Sequence, residues 1–258
     1  MTEAPHNDTP ALADEARRRF LKRAGLTAGF SLFAGSALAA GLPKALDEAT
    51  SSERRWGILV DAGKCPEGCT ACVDACFEEM GIEGPRVGDN HSRPDQDSQW
   101  IRKVSLKNED TGHALALPVM CQHCTYPPCV DVCPTGASFK RADGIVLVDR
   151  HVCIGCRYCI MACPYKARCF VHEAIHDQEP YMPRGKGTAE GCTMCVHRID
   201  HGMKPACVVA CHEEGAGAMT FGDTNDPESA IAGKLRDNTT SAIRADLGTE
   251  PGIRYMGI

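Results

Sequence analysis

Aromatic residues are scarce: two Trp, five Tyr and seven Phe in 258 residues. That is thin material for a hydrophobic core of this size, because aromatic rings carry the largest apolar areas. Beyond one stretch near the N-terminus there is no long apolar run, so the body of the protein reads as soluble or peripheral. No phosphate-cradling or dinucleotide loop and no hydrolase signature is present, which removes nucleotide-driven and hydrolytic chemistry. Cys-x2-Cys-His is also missing, so a covalent haem is rejected; "CVVACH" has three residues between its cysteines. Against these shortages stand 17 cysteines. A fold poor in aromatics and rich in sulfur is held by cross-links or by metal.

The N-terminus, residues 1–45, reads as an export signal with a short linker rather than part of the fold. Arg17, Arg18, Arg19, Lys22 and Arg23 form a basic cluster, residues 24–42 are mildly apolar, and Ala37-Leu38-Ala39 fits a small-residue cleavage site. Arg17 and Arg18, followed by Phe20, Leu21 and Lys22, resemble the twin-arginine (Tat) pattern. An uncleaved anchor is the alternative, although the run is glycine-rich and weakly apolar for a span. Tat export carries folded proteins out of a cytoplasm that keeps thiols reduced, which favours a metal cofactor over disulfides.

The stretch "KCPEGCTACVDAC" holds Cys65, Cys69, Cys72 and Cys76. Three further groups of four follow: Cys121, Cys124, Cys129 and Cys133; Cys153, Cys156, Cys159 and Cys163; Cys192, Cys195, Cys207 and Cys211. Every group ends in Cys-x3-Cys, an internal repeat that organises the chain. The third, "CIGCRYCIMACP", is the bacterial ferredoxin run for a [4Fe–4S] cluster. Three closely spaced sulfurs on a tight loop can face one cubane, while the fourth points away to the other cluster of a pair. Gly155 is expected to let the backbone approach the cluster, and Pro164 to open a helix after Cys163. The first group has three residues where the third has two, and the Pro66–Gly68 turn can absorb the extra one. Zinc remains the rival, since Cys-x2-Cys pairs also build tetrahedral zinc sites. A zinc-stapled binding protein would be colourless and free of acid-labile sulfide.

Short Val/Leu/Ile-rich runs at 54–61, 114–120 and 143–149 read as strands leading into the first three groups. "CVDACFEEMG" and "CPYKARCF" suggest short helices after the last cysteines. Residues 84–99 and 176–191 read as loops. The fold class is α+β: two ferredoxin-like modules with a pseudo-two-fold repeat built around clusters, spanning 53–222, with a C-terminal tail at 223–258 that wraps the core or a partner.

With all four groups in view, residues 54–221 resemble the four-cluster ferredoxin subunits of the DMSO, tetrathionate and polysulfide reductase complexes. Within that family the Tat-type signal, the widened "CPEGCTACVDAC" and the tail ending "GIRYMGI" are most similar to the DsrO-type subunits of the Dsr membrane complex. The resemblance implies four [4Fe–4S] clusters in a near-linear row. It joins Cys65, Cys69 and Cys72 with Cys211, and Cys192, Cys195 and Cys207 with Cys76. It joins Cys121, Cys124 and Cys129 with Cys163, and Cys153, Cys156 and Cys159 with Cys133. His212 departs from the pattern, standing where a proline often follows the last cysteine, which puts the local turn in question. Cys169 is left over, and a buried thiol is the plain reading. His123 and His197 could ligate or hydrogen-bond a cluster, but solvated loop histidines are expected. Trp56 and Trp100 are expected to pack rather than relay electrons.

The implied function is electron transfer without bond chemistry of its own. The implied partners are an NrfD-like membrane subunit (DsrP-like), a multihaem cytochrome c (DsrJ-like) and the rest of a Dsr-type complex at the periplasmic face, peripheral to the membrane. A ferredoxin subunit of a periplasmic molybdopterin reductase is the alternative. Without residues 1–39 the chain keeps 23 basic and 30 acidic residues, a net −7. Four clusters, each about −2 with its thiolates, would bring the charge near −15. That sign disfavours nucleic acid.

Overall fold

The computed structural model describes residues 50–82, 96–107, 109–112, 114–176 and 178–258. The export-signal reading and most of the loop expected at 84–99 lie outside the described residues. The described residues from Thr50 to Ile258 lie in one compact unit.

β1 (Trp56–Asp61) is the centre of a three-stranded sheet. Its middle four residues are all buried, as befits a continuous apolar run covered on both faces. β8 (Met219–Asp223) pairs with it antiparallel, Val60 opposite Met219, and β9 (Ile253–Met256) pairs parallel, Ile58 opposite Ile253. Both partners come from the far end of the chain, so the tail is part of the core. α6 (Ala230–Asp237) presses Ile231 against this sheet and is capped by Ser229, whose Oγ accepts from the Ala232 N–H.

The tail also holds Tyr255, fully buried, whose hydroxyl donates to the Pro118 carbonyl at 3.1 Å. Tyr255→Ala is expected to destabilise the loaded protein by about 4 kcal/mol, through a cavity and an orphaned carbonyl. A urea transition checks this; an unchanged midpoint would remove the tail from the core.

β2 (Ile101–Lys107) and β3 (Ala114–Met120) form an antiparallel hairpin, Ile101 opposite Met120. The remaining strands are short: β4 (Ser138–Lys140) with β5 (Val146–Val148), and β6 (Cys169–Phe170) with β7 (Ala189–Glu190). The helices are α1 (Ala71–Glu79), α2 (Pro128–Asp131), α3 (Tyr158–Ala162), α4 (Val196–Ile199) and α5 (Ala206–Glu213). The class is α+β. The strands expected at 54–61, 114–120 and 143–149 are present as β1, β3 and β5.

One local expectation is corrected. "CPYKARCF" is not a helix: Cys163 follows α3 instead of starting one, Lys166 takes a left-handed φ of 51°, and Cys169 begins β6. Backbone of that hand ends a helix. At His212, where the sequence put the local turn in question, the chain does not turn: α5 runs on to Glu213, and His212 Nε2 meets the Met219 carbonyl at 2.7 Å. A histidine, unlike proline, keeps its backbone N–H, so the helix can continue.

Candidate iron–sulfur sites

None of the seventeen cysteines is in a disulfide. In α1 and α5 the terminal Cys-x3-Cys of the first and fourth groups lies wholly within a helix. That spacing puts both sulfurs of a pair on one face, about 6 Å apart along the axis. Up to Cys211, before His212 and Glu213 at its end, α5 is made of small apolar residues and is buried at Ala206, Cys207, Val208, Ala210 and Cys211. A stretch apolar on all sides belongs inside, and this one packs against α1.

Cys72 is pushed up to about 12 by burial first and then by negative charge on Cys211 and Cys65, with Lys103 opposing and Cys69 adding. Cys76 is raised too, by burial and then by Cys192, Cys207 and Cys195. So Cys72 faces Cys211 while Cys76, one turn on, faces Cys207. These are the neighbours of two helices running in opposite senses. The structure therefore brings Cys65, Cys69 and Cys72 to Cys211, and Cys192, Cys195 and Cys207 to Cys76.

The second and third groups are arranged likewise around α2 and α3. Cys124 is pushed up to about 11 by burial, lowered by a hydrogen bond to Thr249, and raised by Cys129 and Cys163. Cys121, Cys124, Cys129 and Cys163 line one pocket. Cys159 is raised by burial, eased by Arg168, and raised by Cys129, Cys153 and Cys133. Cys156 is exposed, so this fourth site reaches the surface. Cys65, Cys69, Cys72 and Cys211 line a similar pocket. Their charges also couple from group to group: Cys72 acts on Cys76, Cys192 on Cys121, and Cys129 on Cys159. These couplings are those that a row with the Cys65 and Cys156 sites at its ends would give.

N–H groups aim at several of these sulfurs. The backbone of Ser138 donates to Cys133 at 3.3 Å, Met194 to Cys192 at 3.4 Å, Ala167 to Cys163 and Ala189 to Cys153, both at 3.5 Å. Lys103 Nζ donates to Cys65 Sγ at 3.1 Å while holding the carbonyls of Pro66 and Cys69. Hydrogen bonds to cluster sulfurs are among the controls on reduction potential. Sequence reasoning missed Lys103. It lies in β2, 38 residues after Cys65, and nothing near it in the chain marks it.

A repeat in the backbone accompanies the repeat in sulfur. The residue before the second cysteine is left-handed in groups two to four: His123 at φ 43°, Gly155 at 72° and Met194 at 56°. Only the glycine is free of strain there. At Gly155 a Cβ would lie 2.3 Å from the Gly187 carbonyl oxygen, so no side chain fits there. The expectation for His123 is corrected. It is not solvated but fully buried, with Nδ1 accepting the Val146 N–H at 3.1 Å, and burial beside Arg55 and Arg168 holds its pKa near about 3. Arg55, leading into β1, explains the anchoring: its guanidinium donates to the His123 carbonyl at 2.6 Å and the Gly144 carbonyl at 2.8 Å.

His197 is not a free loop histidine either. It stacks on Tyr181 at 4.6 Å, and its Nε2 lies 2.8 Å from Glu79 Oε1. Cys169 is pushed up to about 12, chiefly by burial, with its sulfur 3.6 Å from the Glu190 carbonyl. Trp56 stacks on Phe221 at 5.1 Å, and Trp100 is buried.

The donor set fits iron–sulfur clusters on three counts. Burial raises many of these thiols well above their ordinary range, so gathering them as thiolates needs a cationic centre. Four sulfurs converge at each of two pockets, Cys121, Cys124, Cys129 and Cys163 at one and Cys65, Cys69, Cys72 and Cys211 at the other, the number of ligands that one cubane takes. Buried donors also stand without partners between cysteines, at His123 Nε2 and Thr193 Oγ1, where sulfide would accept.

Comparison with known proteins agrees. A family described as "4Fe-4S dicluster domain" matches residues 64–137, and a second of the same description matches 113–224. The chain is 40% identical to Hdr-like menaquinol oxidoreductase iron-sulfur subunit 1 of Archaeoglobus fulgidus, over 93% of this chain and 97% of that one. It is 36% identical to a tetrathionate reductase subunit of Salmonella typhimurium, over 95% and 89%. Protein NrfC of Escherichia coli is 37% identical, over 92% and 93%. Two dicluster matches and sixteen grouped cysteines correspond to four [4Fe–4S] clusters.

Proposed function

The chain belongs to the 4Fe–4S dicluster iron–sulfur subunits of the DMSO reductase, tetrathionate reductase and NrfC type, and on that footing we propose that it carries electrons in a quinol-linked complex of sulfur metabolism, as a DsrO-type subunit. Each [4Fe–4S] cluster takes up or gives up one electron. This chain's part is to hold four of them in series, exclude water from the inner two and set their potentials. The carrying observation is the ordered row of thiol tetrads, whose Cys72–Cys211 and Cys76–Cys207 neighbours fit two helices running in opposite senses.

In this reading Cys65, Cys69, Cys72 and Cys211 ligate one cluster, and Cys76, Cys192, Cys195 and Cys207 the next. Cys121, Cys124, Cys129 and Cys163 ligate the third, and Cys133, Cys153, Cys156 and Cys159 the fourth. The arrangement forms two ferredoxin-like modules related by a pseudo-two-fold repeat within 53–222. The N-terminal segment would send the folded protein through the Tat route to the periplasmic face. There it would sit between an NrfD-like (DsrP-like) quinone-reactive subunit and a multihaem cytochrome c (DsrJ-like). Among the described residues no helix is long and apolar enough to cross a membrane, so membrane attachment would come through such partners. The word menaquinol in the name of the 40%-identical relative supports a quinol complex.

The likeness to the tetrathionate reductase subunit favours a second reading, the ferredoxin subunit of a periplasmic molybdopterin reductase. An anaerobic pull-down of tagged protein from its own host's membranes, in mild detergent, separates the two. An NrfD-like protein arriving with a multihaem cytochrome is the expected result. A molybdopterin protein instead would overturn the Dsr-type assignment.

A further inference from the structure

Arg168 is 7% exposed, yet it carries a charge that cannot be shed. A buried guanidinium is costly unless anions and acceptors surround it. Here the acceptors include cysteine sulfur. Its Nη2 donates to Cys129 Sγ at 3.5 Å and to Ser138 Oγ at 3.1 Å. Burial works against the charge, but Cys129, Cys121 and Cys159 outweigh it and raise the pKa above the usual guanidinium value.

Those three cysteines belong to two different sites. Cys121 and Cys129 line the third cavity of the row, which Arg168 lines with them, and Cys159 belongs to the fourth. The local chain fixes this position. Ala167 donates its N–H to Cys163, and Arg168 follows just before β6 begins. The far side of Arg168 lines a cleft of about 320 Å³ that also holds Arg102, Arg157, Lys166 and Asp97.

We propose that Arg168 sets the reduction potential of two clusters at once, those of the third and fourth tetrads, and makes this half of the row the more easily reduced. The inference rests on the ligand reading above. Reduction adds one negative charge to a cluster. A fixed positive charge against its sulfurs, in a poorly hydrated interior, favours that state. The guanidinium donates to Cys129 of the third tetrad and to Ser138, whose backbone N–H donates to Cys133 of the fourth, so the two potentials rise together. Its side-chain hydrogen bonds go to Cys129 and Ser138, beside the third and fourth tetrads rather than the first two.

Redox titration followed by EPR, on the cluster-loaded full chain, tests this with Arg168→Gln and Arg168→Lys. With Gln, the reduced-to-oxidised ratio of two clusters at their wild-type midpoints is expected to fall at least tenfold, about 59 mV for one electron. Lys, which keeps the charge, should restore most of that ratio, and the other two clusters should stay within twofold. Unchanged potentials, or an equal shift of all four, would overturn the proposal. Should the Gln chain fail to load, the wild-type chain labelled with 15N-arginine carries the test. Pulsed EPR is expected to detect weak arginine-nitrogen coupling on two of the reduced clusters, and no coupling would overturn the proposal. Iron analysis comes first: far fewer than about sixteen iron atoms per chain would sink the ligand reading itself, whereas full loading with unmoved potentials would sink only the role of Arg168.

Discussion

Cys76→Ser is expected to damage the cluster associated with Cys192, Cys195 and Cys207 while sparing the one beside it in sequence. Cys76 follows Cys72 by one helical turn in α1, and both are buried at 5% exposure. The packing of α1 against α5 divides them. Cys72 is surrounded by Cys211, Cys65 and Cys69, whereas Cys76 is surrounded by Cys192, Cys207 and Cys195. A serine oxygen is a harder and poorer ligand for iron than thiolate. Iron should therefore fall by about four atoms per chain, or by about one where the cluster survives incomplete. The EPR signals of the other three clusters should persist. A lesion confined to the cluster of Cys65, Cys69 and Cys72 would show that the group does not cross over.

Removing the iron is expected to unfold the cluster-bearing middle of the chain and leave the three-stranded sheet standing. Between Cys121 and Cys195 the regular elements are short: helices of four and five residues, strands of two and three. Helices below about 12 residues and isolated two-stranded ribbons do not hold themselves in water. Their apolar clusters consist largely of thiols, with Tyr165 and Ala167 in one, and Val146 and Ala189 in the other. Ligand bonds would supply the cohesion that apolar area does not. The sheet is different. Ile58, Leu59, Val60, Met219, Ile231, Ile253 and Tyr255 are each 1% exposed or less. After anaerobic chelation, hydrogen exchange in residues 121–195 should approach unfolded rates. Amides of β1 and β8 should remain at least tenfold better protected. Uniform protection throughout would mean that packing alone holds the middle, and uniform loss would mean that the sheet depends on the clusters too.

The two effects bear on function together. A subunit whose middle folds around its cofactors has its clusters held by local loops, so their spacing is set by the same contacts that hold the chain. The exposed Cys156 marks one end of the row, and the half-buried Cys65 and Cys69 mark the other. The inner tetrads are more deeply covered, which suits a row entered and left at its ends.

Much of this was legible in the chain. Spacing of two and three residues between cysteines is local information. It dictates tight loops followed by a helical turn, and hence the number and kind of clusters. The short Val- and Leu-rich runs marked β1, β3 and β5 for the same reason, since strand preference acts over a few residues. What the spacing could not carry was partnership. Which tetrad receives Cys76 or Cys211 depends on α1 lying against α5, more than 120 residues away in the chain. The burial of His123 depends on Arg55 and β5, and that of Tyr255 on a parallel pairing with the opposite end of the chain. Lys103 and Arg168 look in sequence like any solvated cation. Only the packed structure sets them against sulfur, because long-range contacts decide which charges meet which thiols. The cysteine pattern thus determined what the protein holds, and tertiary packing decided how the sites are ordered and which charges act on them.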